Sequence, residues 1–79
     1  MKDELIAYIK SELIGDESME INAEDDLLTS GLIDSIAIMR FIGHIEETHQ
    51  VKVAPQDMVI ENFINVDAIA DYIQRTKTN

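Results

Sequence analysis

The residues of this chain that could do chemistry are a serine, two histidines and many carboxylates. Ser35 follows Asp34 at the point where apolar residues begin to recur at helical spacing. Free backbone N–H groups at a helix N-terminus attract anions, phosphate among them. A phosphodiester carried on the Ser35 hydroxyl would sit in that field, although Asp34 beside it opposes the charge. The plainer reading is that Asp34 or Ser35 simply caps the helix, a contribution of about 1 kcal/mol. On spacing alone the cap has the stronger claim.

Two other chemistries fail on geometry. A hydrolytic triad would need a histidine within hydrogen-bond reach of Ser35. His44 comes nine residues later. On one helix that places it half a turn out of phase and about 13 Å along the axis. Asp34 adjoins the serine and cannot orient a histidine held elsewhere. His49 is farther still, and no G-x-S-x-G elbow occurs. The dense run Glu24-Asp25-Asp26 lacks the D-x-[DN]-x-[DN]-G spacing of a calcium loop. No catalytic residue and no dedicated metal site is expected.

The elements that must position Ser35 can be read from periodicity. Leu5, Ile6, Ile9 and Leu13 recur at helical spacing and predict a helix over roughly residues 3–14. Gly15 follows where a left-handed C-terminal residue is favoured. A second helix runs from Asp34 or Ser35 to about Thr48, with Ile38, Phe41, Ile42 and Ile45 as its core face. Val51-Lys52-Val53 is then briefly extended, and Pro55 and Asp57 lead into a short helical turn around Val59–Phe63. Asn65 is placed to cap a last helix, whose buried stripe is Val66, Ile69, Ala70 and Ile73. Arg75 and Lys77 lie near its C-terminus, where cations suit the dipole.

The connection from Gly15 to Ile33 exceeds the usual helix–helix link of about 2–8 residues, and such loops tend to be functional or disordered. Ile21, Leu27, Leu28, Leu32 and Ile33 can pin it to the core, so order is expected. Between Lys10 and Arg40 it and its flanks carry eight acids and no base. The expected fold is all-α, a small four-helix bundle of three longer helices and one short helix with a long first loop.

On a wheel of 100° per residue, Phe41, Ile42 and Ile45 fall within about 60° of Ile38. Ile36 and Met39 fall on a different side, beside Arg40, Glu46 and Glu47. A domain this small cannot easily cover both faces of one helix. Ile36 and Met39 are therefore candidates for an exposed contact patch rimmed with charge, unless the long loop folds over them.

Composition narrows the function classes. The chain has 79 residues, 16 acids, 6 bases and a formal net charge of −10. That length fits a single domain, residues 1–79, with one small core. The charge repels phosphate backbones and anionic lipid, so neither nucleic-acid binding nor membrane insertion is expected. There is no cysteine, hence no disulfide framework or thiol nucleophile. Acids interrupt the first residues before any long apolar run, so no signal peptide is expected, and a cytoplasmic location is. With 46% hydrophobic residues the chain has enough apolar material to fold.

Beyond these physical readings, Gly31-Leu32-Ile33-Asp34-Ser35-Ile36 resembles the G-x-x-D-S-[LI] signature of acyl and peptidyl carrier proteins. The likeness covers nearly the whole chain. Asp26-Leu27-Leu28-Thr29-Ser30-Gly31 is similar to that family's approach to its serine, and Ile45-Glu46-Glu47 to the end of its second helix. Pro55-Gln56-Asp57-Met58, Glu61-Asn62-Phe63 and Val66 through Ile73 resemble its closing segments. The resemblance implies that Ser35 carries a 4′-phosphopantetheine arm, moved there from coenzyme A by a separate phosphopantetheinyl transferase. It implies that Asp34 faces the transferase and its magnesium ion. It also implies that Ile36, Met39 and Ile60 meet partner enzymes, with Arg40, Glu46 and Glu47 around them.

Fatty-acid carriers that resemble this chain have an almost continuously acidic second helix, and Arg40 departs from that pattern. Met39-Arg40 instead resembles a pair common in peptidyl carrier domains. The expected protein is thus no enzyme but a free-standing, monomeric carrier. It would hold an acyl or aminoacyl group as a thioester for biosynthesis in a specialised pathway, polyketide or nonribosomal peptide. An acyl- or aminoacyl-loading ligase or transferase and downstream biosynthetic enzymes would be its partners. A D-alanyl or fatty-acid carrier is the alternative, and a helical adaptor without a prosthetic group is the non-carrier one.

Overall fold

A computed structural model describes residues 1–78. Its elements are α1 (Lys2–Tyr8), a π-helical continuation (Ile9–Ile14), α2 (Ser35–His49), a 3-10 turn (Pro55–Asp57), α3 (Ile60–Phe63) and α4 (Val66–Thr78). Among the described residues there is no strand. Three longer helical segments and one short helix pack around a single core, with the long connection between the first and second.

The first helix spans the expected residues but changes winding halfway. The Gly15 N–H reaches the Lys10 carbonyl five residues back, at 2.9 Å. The Ser11 hydroxyl donates to the Ala7 carbonyl at 2.9 Å, competing locally with the α-helical ladder. Apolar spacing sets which face is buried, and Leu5 and Ile9 are fully buried as it requires. It does not distinguish an α from a π turn. Gly15, at φ +79°, stops the helix in the left-handed region that suits glycine.

The long connection is ordered by burial and by a few backbone bonds. Ile21, Leu27 and Ile33 are buried, and Leu28 and Leu32 pack against the core half-exposed. The Leu27 N–H donates to the Ile64 carbonyl at 2.7 Å, and the Asp67 N–H to the Ala23 carbonyl at 3.0 Å. The first ties the loop to the end of α3 and the second to the first turn of α4.

Phe41, Ile42 and Ile45 are the buried residues of α2. Each contributes about 1.5–3 kcal/mol by leaving water. Ile38, which shares their face, is only half-buried. Asn65 caps α4 by accepting the Ala68 N–H at 2.7 Å. Val66, Ile69, Ala70 and Ile73 line the core as the spacing requires. Tyr72 joins them at 4% exposure, and its hydroxyl donates to Asp57 Oδ2 at 2.9 Å. Burial, and then the Asp57 carboxylate, push the Tyr72 phenol above its usual range.

Candidate functional site

Ser35 is the first residue of α2 and is exposed. Asp34, in extended backbone just before it, accepts the Ala37 N–H on its Oδ1 at 2.8 Å. Asp34 is therefore the cap, and Ser35 keeps its own hydroxyl unengaged among the described residues. The Ile38 N–H is taken by the Asp34 carbonyl at 3.0 Å. The amides of Ser35 and Ile36 precede the first intrahelical bond, so they point outward beside the hydroxyl. The two readings of this helix start are thus compatible, because one residue caps while the next stays available.

The approach to Ser35 is a knotted turn. Asp26 Oδ1 accepts the N–H groups of Leu28 at 3.0 Å and Thr29 at 2.9 Å, and Oδ2 accepts the Thr29 hydroxyl. These bonds, the Thr29 hydroxyl first, hold the Asp26 carboxyl below its ordinary range. Gly31 follows at φ +80°, a conformation that favours glycine.

Beside Ser35 lies an open groove of about 370 Å³ between α2 and α3. Its floor is apolar, built from Leu28, Ile33, Ile38, Ile42 and Phe63. Met39, Met58, Val59 and Ile60 form its rim, and Asp34 and Ser35 stand at one end. Ile36 is 74% exposed, Ile60 55% and Met39 54%. The wheel places Ile36 and Met39 correctly, and the long loop leaves them uncovered. Met58 and Val59 are also exposed and escape the sequence reading. They lie in a short non-periodic segment where no helical wheel can be drawn, and their only signal is that they are apolar and flank Ile60.

The charged residues near this face behave differently from one another. Arg40 is exposed and has no ion-pair partner among the described residues. Glu47 is exposed. Glu46 is half-buried, and its Oε2 accepts the Val53 N–H at 2.9 Å, fastening the connector that follows α2.

The histidines are remote from Ser35 in role as well as in sequence. His44 Nε2 meets Glu4 Oε2 at 3.2 Å, and His49 Nε2 meets Glu4 Oε1 at 2.9 Å. The Tyr8 ring stacks on His44 at 3.8 Å between centroids. This cluster joins α1 to α2. Among the described residues no three His, Cys, Asp or Glu side chains form a metal-holding group, and no helix is long and apolar enough to cross a membrane.

The site therefore offers an accessible hydroxyl, unpaired amides that suit a phosphate, and an apolar trough alongside. Those features fit a phosphate-linked arm on Ser35. A family model described as a phosphopantetheine attachment site matches residues 3–73. A comparison with curated proteins gives no match.

Proposed function

This chain belongs to the phosphopantetheine-attachment family of acyl and peptidyl carrier domains, and from that premise we propose that Ser35 bears the arm. Members of the family are non-catalytic carriers with a covalent 4′-phosphopantetheine. The observation that supports Ser35 is its exposed, unengaged hydroxyl at the head of a capped helix. When attached, the group supplies a terminal thiol that holds cargo as a thioester. The protein's own residues do the rest. Asp34 fixes the first turn of α2 and stands next to the hydroxyl that a phosphopantetheinyl transferase must reach. Ile36, Met39 and Ile60 give that transferase and later enzymes an apolar surface to dock on.

The domain carries acyl or aminoacyl groups in a specialised biosynthetic pathway. Arg40 supports that placement, since it puts an unpaired cation beside the apolar patch on the exposed face of α2. Glu47 and Glu61 supply negative charge nearby, while Glu46 is largely committed to Val53. Docking is weak and fast, steered by charge. The absence of cysteine leaves no internal thiol to intercept the thioester.

The test is an intact-mass measurement after incubation with coenzyme A and a broad-specificity phosphopantetheinyl transferase. Wild type gains one phosphopantetheinyl increment and Ser35→Ala gains none. An unmodified wild type with several active transferases refutes the assignment.

A further inference from the structure

We propose that Asp26 is a positioning residue for Ser35: its side chain ties the turn that fixes where the serine hydroxyl is presented. The inference rests on Ser35 being the attachment point and adds a residue nine positions upstream.

The Ser35 side chain has no bond that holds it. It is exposed, and its hydroxyl bonds to no neighbour among the described residues. Its backbone is fixed on one side by the first turn of α2 and on the other by the chain before it. That chain has one fixed end at Leu27, fully buried and bonded through its N–H to the Ile64 carbonyl. Between Leu27 and Ser35 the side-chain bonds lead back to Asp26, directly or through Ser30. The carboxylate takes the N–H groups of Leu28 and Thr29 and the Thr29 hydroxyl, and the Asp26 carbonyl takes the Ser30 hydroxyl. The Ser30 oxygen in turn accepts the Leu32 N–H at 3.3 Å. The Gly31 N–H reaches Leu28 at 3.2 Å, and the Ile33 N–H reaches Leu27 at 3.0 Å, closing the turn immediately before Asp34 and Ser35.

Removing the Asp26 side chain frees two amides and one hydroxyl in the turn while leaving Leu27 and Ile33 in the core. The turn then samples several paths, and the serine hydroxyl is delivered less often to the transferase. The docking surface of Ile36, Met39 and Ile60 is untouched. The predicted signature is a loss in kcat with little change in KM for the carrier as substrate.

The experiment measures phosphopantetheinyl transfer from coenzyme A to wild type, Asp26→Ala, Asp26→Asn and Thr29→Val, well below each melting temperature. Asp26→Ala lowers kcat about tenfold, in line with the cost of small misplacements at reacting atoms. Asp26→Asn keeps an oxygen acceptor and recovers most of the rate. Thr29→Val removes one bond and falls between them. Amide hydrogen exchange at Leu28, Gly31 and Ile33 accelerates in the same order. If Asp26→Ala does not fold, Asp26→Asn and Thr29→Val decide the question.

Folded variants with wild-type kcat overturn the proposal, as does a loss confined to melting temperature or to KM. A wild type that accepts no group at Ser35 overturns the carrier assignment instead. In that event unchanged exchange in Asp26→Ala still refutes the tie between Asp26 and the turn.

Discussion

The two flanks of α2 are built differently. Toward α1 the helix is fastened by side chains of several kinds: Glu4 holds both His44 and His49, and the Tyr8 ring stacks on both His44 and Phe41. Toward α3 it faces an open apolar groove, with Met39 and Ile60 exposed along the rim. On that side α3 is tied not to α2 but backward and forward. The Asn62 side chain donates to the Asp57 carbonyl at 2.8 Å, and the Phe63 ring lies 5.7 Å from the Tyr72 ring of α4. The fastened flank sets the fold. The open flank keeps apolar surface in reach of other molecules, and Ser35 stands at its head.

That contrast can be broken by experiment, starting with the deepest residue of the fastened flank. Phe41→Ala removes a fully buried ring and costs about 3–5 kcal/mol, enough to unfold much of a domain this size. Urea or thermal melting followed by circular dichroism reads the loss. A small change would mean that the α1–α2 flank does not carry the stability.

Tyr72→Phe comes next, removing the hydroxyl bond to Asp57 while keeping the ring, for a cost of about 1 kcal/mol. The phenol is raised above its usual range in the fold. Its contribution is therefore complete below the unfolded phenol range near pH 10 and lost as pH climbs past it. Wild type should lose stability on that alkaline limb, and Tyr72→Phe should lose less of it. Parallel limbs in melts across pH 8 to 11 would exclude this bond.

Glu4→Gln weakens both histidine contacts at a partly exposed site. It should lower the melting temperature by only a few degrees, as surface pairs of this kind do. The smallest thermal effect is expected on the open flank. Met39→Glu should leave the melting temperature nearly unchanged and yet slow loading of Ser35 severalfold, measured by intact mass over time. If Met39→Glu unfolds the protein, the groove wall is part of the core and the contrast between the flanks fails.

Much of this division is legible in the sequence where the governing interactions are local. Asp34 and Asn65 announce their helices because a cap reaches only three residues forward. Gly15 marks a stop because its backbone freedom is its own property. The stripe of α4 and the exposure of Ile36 and Met39 follow from rotation per residue. Pairings across the chain follow no such rule. Nothing in the spacing brings Glu4 to His44 and His49, some 40 and 45 residues away, or Asp57 to Tyr72. Both meetings depend on how finished helices pack. The knot around Asp26 is intermediate: its residues adjoin one another, but their bonds need a turn geometry that composition does not fix.

The exposed rim of Ile36, Met39, Met58, Val59 and Ile60 would ordinarily make a small domain adhesive to its own kind. At a formal charge of −10, two copies approaching rim to rim repel before those side chains touch, within a Debye length of about 8 Å in physiological salt. The acidity thus acts as insulation between identical molecules. It leaves the same rim open to any surface of opposite charge, so the net charge weights contact toward unlike, basic surfaces and against a second copy.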